Sequence, residues 1–279
     1  MRRQRIWLAA GLLAVLMAST CSAAEIAILG PDNWDDLVPA GKEVDAIYGD
    51  YVLRNDKIVA VIAQPLPTRN ANMTVRGVGA AIIDLTLREE QNDQLSAYYP
   101  GAGRYPFVSP DKVRIVVDRQ EVKLDAAGAK GKTVILDATA DPVEGKPRLT
   151  VRYTLADGAA YLQVETIYFN DSDKPLEEEP ADSIRADRTF TFGSDPESFL
   201  FWADDEWFRQ SYGVSAPGYE IKTAAQRATL LQFVKDGSTK TTIEPRKSQT
   251  VGRIVFPANS LLALRGQREV GHRHGIHVR

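Results

Sequence analysis

Leu149-Thr150-Val151-Arg152-Tyr153-Thr154-Leu155-Ala156-Asp157-Gly158, followed by Leu162-Gln163-Val164-Glu165-Thr166-Ile167-Tyr168, is the stretch on which the fold turns. Leu149, Val151, Tyr153 and Leu155 alternate with Thr150, Arg152 and Thr154. Beyond the turn, Leu162, Val164, Thr166 and Tyr168 alternate with Gln163, Glu165 and Ile167. Side chains of a strand point to opposite faces in turn, so period-2 patterning on both arms describes a hairpin with one buried face. Asp157-Gly158 supplies the turn, because glycine accepts the positive φ that tight connections require.

The same pattern recurs outward from this hairpin. Tyr51-Val52-Leu53 and Ile58 to Ile62 flank Asn55-Asp56, a second hairpin signal. Ile58-Val59-Ala60-Val61-Ile62 is apolar at every position, which predicts a strand covered on both sides. Further strands are expected at Ala80–Leu87, Val113–Val117, Val122–Leu124 after a turn at Arg119-Gln120, Thr133–Ala138, Arg188–Phe192, Leu230–Val234, Thr241–Ile243 and Thr250–Phe256. Helix is confined to a turn near Asp32–Val38 and a short segment at Asn259–Gln267, with Asn259 or Ser260 as N-cap. Many short strands with Gly and Asp turns predict an all-β fold: a large antiparallel β-sandwich with few short helices, of which the mutarotase-like supersandwich is one form. Glu177-Glu178-Glu179-Pro180 reads as a solvated acidic loop.

The first 24 residues read as a secretory signal. Arg2, Arg3 and Arg5 form a positive start, and Ile6–Ala18 is an uncharged apolar run of 13 residues. A membrane span needs roughly 20. Ser22 and Ala24 then occupy the small-residue positions for cleavage after Ala24, with cleavage after Ala23 as the near alternative. An uncleaved anchor and lipidation at Cys21 are the other readings of this segment. The organisation expected is a signal over 1–24, one β-sandwich domain over 25–267 and a disordered tail over 268–279. The destination is the periplasm, the cell envelope or the exterior.

Cys21 is the only cysteine, so cleavage leaves no thiol for a disulfide or a thiolate metal site. Stability then rests on a hydrophobic core, which a mature length of roughly 255 residues can supply. Loss of the leader's three arginines takes the formal charge from −3 to −6. With no basic stripe, nucleic acid and anionic membrane surfaces are excluded as expected partners.

Two stretches carry a resemblance. Gly41-Lys42-Glu43-Val44-Asp45-Ala46-Ile47-Tyr48-Gly49-Asp50-Tyr51-Val52-Leu53-Arg54-Asn55-Asp56 and Arg69-Asn70-Ala71-Asn72-Met73-Thr74-Val75-Arg76 resemble the N-terminal part of large secreted bacterial proteins. In those proteins a carboxypeptidase-regulatory-like β domain and a PHP-type metallohydrolase domain follow. Residues 147–170, ending in Asn170 before the polar Asp171-Ser172, are similar to galactose-mutarotase-like β-sandwiches. The first resemblance implies a metallohydrolase that holds its metals with many histidines and carboxylates, and the second an enzyme that uses two histidines and a carboxylate. This chain has three histidines, His272, His274 and His277, all in its last eight residues, so neither catalytic set can be placed. What remains is the N-terminal β module, with no cofactor expected.

The candidate ligand-binding segment is Phe199-Leu200-Phe201-Trp202-Ala203-Asp204-Asp205-Glu206-Trp207-Phe208, with Tyr212 and Tyr219 beyond. Aromatic faces stack on sugar rings and carboxylates accept hydroxyl hydrogen bonds, so Trp202, Asp204, Asp205, Glu206, Trp207 and Tyr212 are the candidate binding residues. The competing reading has Phe199, Phe201 and Phe208 plugging the core. A catalytic pair would need one of these acids opposite Glu165 or Asp84, and nothing selects the pair. His272, His274 and His277 have metal-like spacing but no neighbouring acid or cysteine. Arg76-Gly77-Val78-Gly79 lacks the lysine and full spacing of a phosphate loop; its glycines read as close backbone approach. Asn72-Met73-Thr74 and Asn170-Asp171-Ser172 match the glycosylation sequon, which matters only in a eukaryotic secretory pathway. The function expected is recognition of a carbohydrate or cell-envelope partner by a non-catalytic module. A mutarotase- or glycosidase-like enzyme and a purely structural module stand as alternatives.

Overall fold

The computed structural model describes residues 23–125, 127–225 and 229–273. Residues 1–22, on which most of the expected signal falls, and His274 and His277 lie outside them. In chain order the strands are β1 (Ala24–Ile28), β2 (Tyr51–Arg54), β3 (Ile58–Ile62), β4 (Ile82–Leu87), β5 (Leu95–Tyr99), β6 (Val113–Val117), β7 (Gln120–Val122), β8 (Ala129–Gly131), β9 (Thr133–Thr139) and β10 (Arg148–Ala156). There follow β11 (Leu162–Phe169), β12 (Leu176–Glu178), β13 (Ala181–Ala186), β14 (Thr191–Asp195), β15 (Leu200–Asp205), β16 (Gln210–Ser215), β17 (Glu220–Ala225), β18 (Thr229–Val234), β19 (Thr241–Ile243) and β20 (Ser248–Ala258). Helices α1 (Trp34–Leu37) and α2 (Leu261–Arg273) complete the set.

The strands form two nine-stranded antiparallel sheets packed face to face. The first runs β17-β18-β13-β5-β4-β3-β2-β1-β8 and the second β14-β15-β16-β20-β11-β10-β9-β6-β7. β12 and β19 pair as a separate two-stranded ribbon. The central hairpin follows its alternation: Leu149, Val151, Tyr153 and Leu155 are fully buried, with half-exposed residues between them. These side chains meet Ile26, Leu53, Ile62, Ile82 and Tyr98 of the first sheet in the main core. β3 is buried at every position, as its unbroken apolar run requires. Its odd residues face a second core, closed over by residues from Leu29 to Ala46 and from Val75 to Ala81. On the far side of the second sheet, α2 sets Leu264 against Ile254 and Phe256.

The two hairpin turns are tied together. Asn55 accepts from the amides of Lys57 and Ile58 and donates to the carbonyls of Ala156 and Ala159, both at 2.8 Å. Deeper in, Arg253 on β20 and Asp182 on β13, both fully buried, span the gap between the sheets. Their Nε–Oδ2 and Nη2–Oδ1 contacts are 2.7 and 2.9 Å.

Several expectations are corrected. Glu177-Glu178 is not a solvated loop: Leu176–Glu178 is strand β12, and Glu178 is buried, accepting from the Tyr105 hydroxyl at 2.6 Å. The strand expected at Arg188–Phe192 is displaced to Thr191–Asp195, because Arg188 sits in a turn that Phe190 closes by hydrogen-bonding the Asp187 carbonyl. The tail expected to be disordered from 268 is helical through Arg273. That helix begins at the predicted N-cap, where the Ser260 hydroxyl accepts from the Ala263 amide at 3.2 Å.

Candidate functional site

The segment Phe199–Tyr212 is a hairpin, β15 and β16, and its faces separate the candidate residues. Neighbouring strand positions point to opposite sides. Phe201 and Ala203 face the main core, whereas Leu200 and Trp202 join the cluster around Phe256 and Leu264 under α2. Trp202 lies flat over Gly193, where an added Cβ would meet its ring at 2.2 Å. Asp204 is buried and accepts from the Ser211 hydroxyl. Asp205 is buried on the opposite face and caps the turn through the Phe208 amide at 2.9 Å. Glu206 and Trp207 project from that turn, Trp207 with 87% of its surface exposed. Tyr212 is fully buried, stacked 5.7 Å from Phe190, with its hydroxyl accepting from the Gln94 amide at 2.8 Å. Tyr212 is therefore a core residue, and these six side chains do not converge on one ligand.

The other sequence candidates resolve as structure. Glu165 lies directly across from Arg152 in the β10–β11 pairing. Asp84 is fully buried, and its Oδ1 accepts from the Asp45 amide at 2.8 Å. Burial pushes the Asp84 carboxyl up to about 8, and burial together with Asp84 raises that of Asp93 well above the usual carboxylate range. The two resembling stretches, 41–56 and 69–76, meet at a buried ion pair, Asp50 with Arg69 at 2.7 Å. Arg69 also donates to the Asp45 carbonyl at 2.9 Å. That pair holds the loops that roof the first sheet. Gly79 allows the close approach expected of it: a Cβ there would sit 2.1 Å from the Phe107 carbonyl oxygen. Asn170 is buried, bonding Lys174 and Ile243, which leaves it no room for a glycan. Among the described residues no group of three or more His, Cys, Asp or Glu is placed to hold a metal.

A cleft does open at the other end of β16. Tyr219, in the loop between β16 and β17, packs edge-on against Phe233 with ring centroids 6.1 Å apart. Lys235 lies over the Tyr219 ring at 5.9 Å, and the Gln249 side-chain amide donates to the Tyr219 hydroxyl at 3.4 Å. Ser238, Thr239, Thr241 and Thr242 add hydroxyls around a volume of about 340 Å³, at the low end of the roughly 300–1,000 Å³ range of small-molecule sites. Phe233 forms part of the lining and touches the Arg253 guanidinium at 5.6 Å, so the floor of the cleft rests on the ion pair between the sheets. Sequence reading named Tyr219 but not its partners. Phe233 on β18, Lys235 just past its end and Gln249 on β20 are brought to Tyr219 only by the sheet topology.

No family model matches the chain. No curated protein matches it in sequence. Its fold is similar to that of a TPR-domain containing protein from Parabacteroides distasonis, with a TM-score of 0.50 at 12% identity over 85% of this chain and 55% of that one. This chain thus spans little more than half the length of that protein, and the likeness is one of fold. Other solved structures that align with it are an alpha-galactosidase from Lactobacillus brevis (TM-score 0.43, 10% identity, 78% of this chain and 40% of that) and a candidate aldose 1-epimerase from Klebsiella pneumoniae subsp. pneumoniae (TM-score 0.41, 8% identity, 88% and 94%).

Proposed function

We propose that this chain is an exported β-sandwich module that recognises carbohydrate at the Tyr219 cleft. The observation that carries the reading is the composition of that cleft: one aromatic pair, two lysines, an aspartate, an amide and four hydroxyl side chains around a single opening. An aromatic face covers the C–H side of a sugar ring, while hydroxyl and amide groups exchange hydrogen bonds with its hydroxyls. Such a site binds without an acid–base pair, which fits the separation of Asp204 from Asp205 and the burial of Asp84. Export is part of the same proposal and rests on the leader pattern of residues 1–24.

Affinity electrophoresis against a panel of soluble polysaccharides, neutral and acidic, tests the reading. At least one should retard the protein. Tyr219→Ala should weaken that interaction by about 1–3 kcal/mol, the usual cost of removing an aromatic anchor. Tyr219 is half-exposed, so the variant should melt close to the wild type. A panel that leaves the wild type unretarded, or a Tyr219→Ala variant that binds as well as the wild type, overturns it.

A further inference from the structure

A second cleft opens on the outer face of the first sheet, beside the start of β13. It has a volume of about 270 Å³, and Thr74, Arg76, Tyr99, Ser183 and Arg185 line it. Most arginines in this protein whose side chains are packed have a carboxylate within reach: Arg54 with Glu25, Arg69 with Asp50, Arg152 with Asp137, Arg253 with Asp182. Arg76 and Arg185 differ. Among the described residues, neither has a carboxylate at ion-pair distance. Arg185 is half-buried and spends one donor on the Thr74 carbonyl at 2.8 Å, which fixes the guanidinium over the cleft floor. A guanidinium has five donors, so most of its capacity is left for a ligand. The Tyr99 hydroxyl donates to the Arg76 carbonyl at 3.2 Å, which anchors the loop that carries the second guanidinium. Asp45 also acts on Tyr99, against Arg185, but its carboxylate is engaged by the Asn72 amide at 3.4 Å.

The Thr74 hydroxyl is spent on Asn72 Oδ1 at 3.1 Å and that of Tyr99 on Arg76, so the two unneutralised guanidiniums are what make the cleft a receptor for an oxyanion. The planar fork of arginine matches a carboxylate or sulfate ester in two parallel hydrogen bonds. The two clefts lie on opposite sides of β13: Ser183 and Arg185 face outward, whereas the Tyr219 cleft opens between the sheets, with Val251 of β20 in its lining. We infer that the Arg76–Arg185 cleft binds the acidic group of a polyanionic glycan, a uronate carboxylate or a sulfate ester. The inference rests on the carbohydrate reading and names its ligand class.

Isothermal titration of the full mature chain with polygalacturonate, dextran sulfate and uncharged dextran tests it. Arg76→Gln, Arg185→Gln, Tyr219→Ala and, as a charge control, Arg119→Gln on the exposed β6–β7 turn are compared at two salt concentrations. Arg76 is exposed, so its variant has no core to disturb. The expected result is that one of the acidic polymers binds the wild type, that binding weakens with salt, and that each cleft arginine variant binds roughly tenfold or more weakly. Arg119→Gln should bind as the wild type. Preference between polygalacturonate and dextran sulfate decides between carboxylate and sulfate. If Tyr219→Ala loses the polymer while Arg76→Gln and Arg185→Gln keep it, the arginine cleft is refuted and the Tyr219 reading stands. If the arginine variants lose it and Tyr219→Ala does not, the inference holds and the Tyr219 cleft falls. If only uncharged dextran binds, or all three arginine variants weaken binding equally, the inference is overturned. If no polymer binds the wild type, both fail.

Discussion

Removing one partner of the Asp182–Arg253 pair should be far more damaging than removing both. Arg253 donates to both oxygens of Asp182, to the Thr166 hydroxyl at 3.1 Å and to the Val251 carbonyl at 2.9 Å, with no exposed surface. Asp182 also accepts from the Gly101 amide at 3.0 Å and from the Tyr98 hydroxyl. Arg253→Met leaves a carboxylate in the core, and Asp182→Leu leaves a guanidinium there; each should cost about 3–5 kcal/mol. Asp182→Leu with Arg253→Met restores an apolar core. Its residual cost is about 1–3 kcal/mol, chiefly the Tyr98 hydroxyl left without its partner. Urea unfolding at neutral pH measures all three, with the slope m checking that the transition stays two-state. There is a second signature. Burial raises the Asp182 carboxyl pKa, and Arg253 is the largest influence opposing it. In Arg253→Met the folded state therefore holds a proton that the unfolded state releases, so its stability falls as pH rises through the folded pKa. A double variant that costs the sum of the singles would show that the pair contributes no mutual stabilisation, and the reasoning would be wrong.

Two further outcomes are expected. The raised Asp84 carboxyl, at about 8 against an ordinary 3.8, keeps its proton in the folded state, so stability should be greatest below pH 4 on its account and decline up to about 8; Asp84→Asn, whose side-chain oxygen can still accept from Asp45, should flatten the melting temperature over that range, and an unchanged profile would count against the assignment. Trp207→Ala should shift stability by less than about 0.5 kcal/mol because the ring is 87% exposed, whereas Trp202→Ala, which uncovers Gly193 and the Phe256 cluster, should cost about 2–3 kcal/mol; equal effects in chemical denaturation would contradict the facing of β15.

Where one strand face is apolar and the other polar, the sequence is a direct record of the sheet, and β10 and β11 are legible for that reason, whereas β3 is legible from its unbroken apolar run. β13 is not. Its core-facing positions are Asp182 and Ile184, and no pattern of hydrophobicity anticipates an aspartate that faces an arginine 71 residues away. β16 is equally opaque: Gln210, Ser211, Gly213 and Ser215 are buried because a sheet neighbour, α2 or the opposite sheet covers them, not because they are apolar. The candidate site misled for a related reason. Trp202, Asp204, Asp205 and Trp207 are close in sequence, yet strand alternation sends successive residues to opposite faces and the turn carries Trp207 into solvent. The Tyr219 cleft and the Arg76–Arg185 cleft are each assembled from several strands and loops, so no local stretch could announce either. Of the glycines at 77 and 79, only Gly79 makes the close backbone approach expected of both; Gly77 has open space around it and a φ of +63° instead.

The eleven residues of β20 sit between β11 and β16, pairing with both. On a ribosome they are made after every other described strand. Until they arrive, the second sheet exists as two fragments: one ending at the bare edge of β11, eight residues of alternating hydrophobicity, the other a meander of β14 to β16 with nothing to join. Arg253 is in the same segment, so Asp182 waits in the forming core without its counter-ion. Cooperative closure is thus postponed to the last strand of the sandwich, and the nascent molecule carries an open, pairing-competent edge from the synthesis of Phe169 until β20 begins at Ser248. Such topology favours slow, late folding and adhesion between unfinished copies, and it makes protection of the β11 edge, rather than the stability of the finished sandwich, the step on which yield depends.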